Sequence, residues 1–529
     1  MNFYSYLYFL CFALATYVVY LIFPKKARWN VLLLSGTAFY LFENLQLAVF
    51  LFAAAVCTFF TGKVLTSLQE RFNTEKKELP KDEKKKLKAY YTKQKKMVVL
   101  SAVLVNLGML LVLKYTGFFT YMLAAFMRPF GFSAEVKPLS FALPLGISYY
   151  TLQSIGYIVD TYRGKYKAEK NFAKLALFLS FFPQMTEGPI GRYDHLMPQL
   201  TAGKGYSSER FTKAAVLILW GLFKKTVISD RASYMASTVF NDYPRYSGTL
   251  IAVAVILYTV QLYTDFSGCI DIMSGTARLF GVELSENFRQ PFFSKTVSEF
   301  WRRWHISLGT WFKDYVFYPV SLSKPFGALT KICTKSMTKF WASIVPTASA
   351  LLVVWLGTGL WHGADIKYVV YGLYYFLIML IGMVTEPLWI KLSDKLKLDR
   401  KSGIAEGLRV FRTIILVCFG MALFRVDSVT DFGAIIGKIF AFQDLNDIVN
   451  GQLFALGTDW QDFIIIGLGI LTLLIVGILK EGKKDVLGAV STGRIYIKWP
   501  VLMALIIAVI ILGAYGADYG EVDNIYAQF

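Results

Sequence analysis

Three histidines stand among the 529 residues, His195, His305 and His362. In an apolar chain the few side chains that titrate near neutral pH are the first candidates for proton transfer. His195 follows "GPIGRYD" and precedes "LMPQL", a Pro- and Gly-punctuated loop where a surface or hinge role is expected. His362 lies in "LLVVWLGTGLWHGADIKYVVYGLYYF", where two apolar runs meet at Gly357, Gly359 and Gly363 beside Asp365 and Lys367. A helix leaving the cytoplasmic side near Pro346 would place His362 about 24 Å along its axis, against an apolar core of about 30 Å. That predicts a neutral imidazole within the membrane, nearer its outer face and able to accept a proton. A core histidine hydrogen-bonded to a helix end would have the same surroundings, so the residues alone leave both roles open.

His305 belongs to "EFWRRWHISLGTWFKDYVFYP" (299–319). Trp301, Trp304, His305 and Leu308 fall at i, i+3, i+4 and i+7, which predicts one face of an amphipathic helix at the cytoplasmic boundary. Arg302 and Arg303 then point elsewhere, toward phosphates. An interfacial anchor and an arginine-lined mouth for an anionic cofactor both fit this pattern. Upstream, residues 263–294 place Asp265, Asp271, Arg278, Glu283, Glu286, Asn287 and Arg289 among apolar residues. Carboxylates there need partners or a cavity, so either a salt-bridge network or a substrate role is expected.

The elements that must position these groups are membrane helices. Hydrophobic residues make up 55% of the chain and charged ones 17%, and apolar runs such as 5–23, 45–60, 463–479 and 499–516 approach the length of a bilayer span. About eleven to thirteen embedded helices are expected, forming a single all-α polytopic domain over residues 1–529. The first run lacks a basic start and a small-residue cleavage site and reads as a retained helix. Lys and Arg number 56 against 36 Asp and Glu, a net charge of +20. In this setting the excess fits cytoplasmic loops of a membrane protein, not nucleic-acid binding. The basic stretches 24–28, 63–96, 302–339, 391–412 and 480–498 are therefore expected in the cytoplasm, with both termini outside. Parity between 114 and 300 is ambiguous, because the apolar runs there are short and interrupted. Segment 63–96 holds twelve Lys/Arg and five Asp/Glu, which suits a solvated cytoplasmic helix or loop, or contact with anionic lipid heads or an anionic cofactor.

Five scattered cysteines show no metal-ligand spacing, and no metal site is expected. Phosphate-loop, nucleophile-elbow and zinc-helix motifs are absent, which removes support for ATP hydrolysis, serine-hydrolase chemistry and zinc catalysis. Sheltered proton transfer remains. A transporter would also carry intramembrane charges, but the paired half-repeats of many transporters are not visible.

Four stretches, in order, carry a family resemblance: "FFPQMTEGPIGRYDHLMPQL" (181–200), "DFSGCIDIMSGTARLFGVELSENFRQPF" (265–292), residues 299–319 and "GLWHGADIKYVVYGLYY" (359–375). With them the chain resembles the membrane-bound O-acyltransferases, in their bacterial alginate O-acetyltransferase-like branch. The closing "NIYAQF" resembles a worn form of the family's aromatic ending. The resemblance maps the family's two signature histidines onto His305 and His362, within a core region spanning 263–375. It implies a tunnel through the protein, His362 as the base that activates an acceptor hydroxyl, and His305 assisting from the cytoplasmic side. Donors to the developing oxyanion would be sought among Trp304, Trp361 and Asn287, with Asp265, Arg302 and Arg303 as further substrate contacts.

The resemblance also implies acetyl-coenzyme A as donor and a bacterial plasma-membrane location. The expected acceptors are an exported polysaccharide, peptidoglycan or a secreted acetyltransferase partner. The rival within the class is D-alanyl transfer to teichoic acid from a carrier protein. That relative is shorter, and the extra length here favours acetyl transfer. Glu187 in "QMTEG" departs from the small or apolar residue usual in the family, so the acceptor side is expected to differ.

Overall fold

The computed structural model describes residues 7–43, 45–130, 141–441, 446–456 and 458–515. The C-terminal "NIYAQF", part of the resemblance above, and the C-terminus expected outside lie beyond the described residues. The described residues are helical, with one isolated antiparallel bridge between Phe288 and Trp304. Eight helices among them are long and apolar enough to cross a bilayer: Ala48–Glu75, Lys81–Phe130, Gly248–Leu279, Lys339–His362, Ile366–Lys395, Gly403–Arg425, Trp460–Glu481 and Ile495–Leu512. Cys11–Ile22 and Phe172–Gln184 are shorter apolar helices. Ile464, Leu468, Leu471, Ile475 and Ile478 stand uncovered on Trp460–Glu481, as on a helix whose solvent is lipid. The protein is an all-α, multi-pass membrane protein.

One ambiguity of the sequence resolves simply. The run from residue 117, too interrupted to read as a span by itself, is the end of a single helix, Lys81–Met127. Its basic first turns belong to segment 63–96. Pro80 precedes the first turn and Pro129 follows the end, where each is tolerated, and Asp82 and Glu83 favour the helix start.

Packing groups the chain into two compact units, Met1–Phe211 with Thr276–Ser285, and Thr212–Gly275 with Glu286–Phe529. In the first, Ala48–Glu75 packs on Lys81–Met127 and on Ile147–Arg163, the last buried on nearly every face. His195 lies in this unit, exposed, its Nε2 3.1 Å from the Glu283 carbonyl. The second unit holds the other two histidines.

Five helices of that second unit position the site: α1 (Gly248–Leu279, whose last residues join the first unit), α2 (Val297–Arg303), α3 (Ile306–Phe312), α4 (Lys339–His362) and α5 (Ile366–Lys395). Helices α4 and α5 pack as an antiparallel pair across a short turn, where the Asp365 carboxylate accepts from the Lys367 amide at 2.8 Å. A Cβ on Gly359 would stand 2.2 Å from the Tyr368 carbonyl oxygen, so this glycine serves the helix–helix approach. Helix α4 starts at Lys339, earlier than the expected start near Pro346, and His362 is its last residue. Its length is about 36 Å at ~1.5 Å per residue.

Candidate active site

Sequence periodicity places Trp301, Trp304, His305 and Leu308 on one continuous helix, and the structure breaks that helix at the histidine. Trp304 is extended, and His305 adopts the left-handed region with φ 47° and ψ 51°. For a residue with a Cβ this conformation costs about 1–2 kcal/mol. The neighbouring strand-like segment holds it in place: the Arg289 amide donates to the Arg303 carbonyl at 2.9 Å, and the Ile306 amide to the Asn287 carbonyl at 3.0 Å. The Asn287 side chain then caps α3, its Oδ1 accepting from the Ser307 amide at 3.0 Å and the Ser307 hydroxyl at 2.8 Å. The same oxygen lies 3.3 Å from Nδ1 of His305. An acceptor there favours the proton on Nδ1 and leaves Nε2 with the lone pair.

The break turns all four residues onto one cavity of about 530 Å³. Helices α2 and α3 and the break between them supply Trp301, Arg302, Trp304, His305, Leu308, Gly309 and Thr310. The following turn supplies Lys313 and Phe317, and α4 supplies Leu351, Val354, Trp355, Thr358 and His362. Both candidate histidines therefore face the same space. Leu351 to His362 covers about 16 Å of α4, so the cavity is an elongated slot. Its depth is formed by Trp304, His305, Trp355 and His362, all buried, while Arg302, Gly309, Thr310 and Lys313 are exposed at its mouth.

Aromatic rings frame both imidazoles. Trp361 is 5.0 Å from His362 and 5.7 Å from His305 between ring centroids, Tyr371 and Phe424 lie 5.7 and 5.3 Å from His362, and Phe266 of α1 meets His305 edge-on at 4.9 Å. Trp361 and Asn287 thus stand behind the histidines, not in the cavity wall. Burial pushes the His305 pKa down to about 3, so this ring is neutral at physiological pH. The unfolded chain binds a proton at its ordinary pKa near 6.5. Stability from this group is accordingly full above pH 6.5 and declines as pH falls toward 3, by about 1.4 kcal/mol per unit. Thermal unfolding in detergent should fall more steeply below pH 6.5 in the wild type than in His305→Gln. Parallel curves would contradict a neutral, buried His305.

The remaining sequence candidates lie elsewhere. Asp265 is outside the cavity wall, 2.7 Å from the buried Lys225, which also lies 2.9 Å from Asp230. Lys224 pairs with Asp271 at 2.6 Å, Arg278 with Glu283 at 3.6 Å, and Arg289 with Glu286. The salt-bridge reading of 263–294 therefore accounts for these groups. Arg303 is bound to Glu299 at 2.7 Å and to Glu481, and does not line the cavity. Arg302 does line it, correcting the expectation that it points away, and neither it nor Lys313 makes an ion pair among the described residues. Sequence reasoning missed Thr358 and the Lys224–Lys225 pair. Two adjacent lysines in the apolar run "LILWGLFKKTVI" were the signal for the last of these.

Residues 168–424, which include both cavity histidines, match the model of MBOAT, the membrane-bound O-acyltransferase family. A probable alginate O-acetylase AlgI of Pseudomonas putida is 30% identical over 367 residues, 69% of this chain and 69% of that protein. The chain belongs to the membrane-bound O-acyltransferase family. A peptidoglycan O-acetyltransferase of Helicobacter pylori is 28% identical over 388 residues, 68% of this chain and 65% of the relative. A teichoic acid D-alanyltransferase of Bacillus subtilis is 28% identical over 286 residues, 53% and 68%. The AlgI matches in Pseudomonas syringae and Pseudomonas fluorescens span 62% and 54% of those proteins' own length. In this member of the membrane-bound O-acyltransferases, His362 at the end of α4 and His305 at the break between α2 and α3 line one slot.

Proposed function

We propose that the protein transfers an acyl group, in the favoured reading acetyl from acetyl-coenzyme A, to a hydroxyl on an exported polysaccharide, peptidoglycan or a secreted acetyltransferase partner. The observation that carries this reading is the shared cavity: two of three histidines in the chain line it. Family membership supplies the reaction class. His362 is the general base. It takes the acceptor hydroxyl proton as the oxygen attacks the thioester carbonyl carbon; the C–O bond forms, the C–S bond breaks, and the proton passes to the departing thiolate. Neutral His305 orients a reactant from the opposite wall, with Trp304 as a candidate donor to the developing oxyanion. The buried depth around Trp304, His305, Trp355 and His362 limits water, which would otherwise compete as acceptor.

The mouth suits an anionic donor. Among the described residues Arg302 and Lys313 stand there without carboxylate partners, whereas neighbouring Arg303 is doubly paired. Phosphates on a coenzyme arm would match this charge. The basic ends of α4 and α5, Lys339 and Lys395, lie at the end of the helix pair away from His362. With basic ends in the cytoplasm, His362 lies toward the outer face, where an exported acceptor arrives. A bacterial plasma-membrane location with both termini outside belongs to this arrangement.

Purified protein in proteoliposomes, supplied with radiolabelled acetyl-coenzyme A and envelope glycan or partner, should yield labelled ester. Label transferred only from a D-alanyl-charged carrier protein would establish the rival within the family. Uptake into liposomes with no covalent product would overturn acyl transfer in favour of transport.

A further inference from the structure

We propose that Gly309 sets the bore of the cavity mouth and so governs which thioester arms can reach the histidines; this rests on the acyl-transfer reading. Gly309 lies within helix α3, where glycine costs about 1 kcal/mol relative to alanine, and neither its backbone nor its packing calls for glycine. It is not among the residues with positive φ. A Cβ built on it would meet only the Trp301 carbonyl oxygen, at 3.8 Å, an ordinary contact. Other glycines of the site differ. A Cβ on Gly357 would stand 3.0 Å from the Phe312 ring, and one on Gly363 would stand 2.0 Å from the Tyr368 ring. Those positions are small because protein atoms fill the space beside them. At Gly309 the adjoining space is the cavity itself, at its exposed end between Arg302 and Lys313.

The arrangement is that of a slot whose mouth combines two cations with a missing side chain. The cations attract an anionic head, and the glycine leaves a passage for the narrow arm that follows it. Side-chain bulk at 309 would obstruct the passage without touching His362, which lies in the buried depth. The expected consequence is a penalty on donor entry, not on the chemical step.

Full-length Gly309→Ala and Gly309→Leu test this in detergent or proteoliposomes. With acetyl-coenzyme A as the probe, KM should rise in order of bulk, by at least about tenfold for leucine, while kcat at saturation stays near the wild-type value. Gly309→Ala should unfold at a temperature equal to or above wild type, which separates obstruction from damage. A second readout needs no turnover: in a cysteine-free background carrying Thr358→Cys, maleimide labelling behind the mouth should slow at least about tenfold with leucine at 309. Unchanged KM in a folded, active Gly309→Leu overturns the proposal. Unchanged labelling of Cys at 358 also overturns it. If the wild type transfers no acetyl group from coenzyme A, the functional reading fails instead, and the labelling rate still reports whether position 309 controls entry.

Discussion

His362→Ala is expected to lose acyl transfer by a factor of about 10²–10⁴, the range supplied by a positioned general base. The protein should still insert and fold, because the ring faces a cavity on one side and packs against Trp361, Tyr371 and Phe424 on the others. His362→Gln keeps more of that volume and should be equally inactive, separating proton acceptance from packing. His305→Ala should also lose most activity. Wild-type turnover in either alanine variant, measured with radiolabelled donor at saturating acceptor, would remove that histidine from the reaction.

The largest expected effect on stability lies away from the cavity, at Lys225. Its ammonium is fully buried and bridges Asp265 and Asp230. Lys225→Ala would leave carboxylates in an apolar interior without that cation, a loss of about 3–5 kcal/mol. The expected result is a large fall in the thermal midpoint in detergent. Asp265→Asn in the Lys225→Ala background should restore part of it, since the amide removes one buried charge. Midpoints within a degree of wild type for the single variant would contradict a structural role for this cluster. Phe266, next to Asp265, meets the His305 ring at 4.9 Å, so a loosened α1 should also disturb the site.

Much of this was legible from residues. An apolar chain with three histidines directs attention to His305 and His362, and the four ordered motifs add the family. The helical class followed from long apolar runs. What the sequence concealed has identifiable causes. The i, i+3, i+4, i+7 spacing around His305 reads as a continuous helix, because periodicity carries no trace of the backbone pairing from Asn287 and Arg289 that breaks it. Arg302 lines the cavity, against its expected orientation, for the same reason. The sequence left Asp265 between a salt bridge and a substrate contact because its cation, Lys225, is distant in sequence. Lys313 belongs to the cationic cluster of 299–319 in sequence, but that it lines one cavity with Arg302 is visible only in the fold. The start of α4 was missed because Pro346 suggested the first turn of the helix, although the helix runs through it from Lys339.

The central claim is that the acyl donor occupies the slot shared by His305 and His362. Thr358 lines that slot one helical turn before His362, so Thr358→Cys in a background free of the five native cysteines places a chemical reporter beside the proposed base. The measurement is the rate of maleimide labelling with and without saturating acetyl-coenzyme A. The account expects marked protection by acetyl-coenzyme A and little by adenine alone. Labelling unchanged by the thioester, in protein that still transfers acetyl groups, would show that the donor binds elsewhere and would contradict the account.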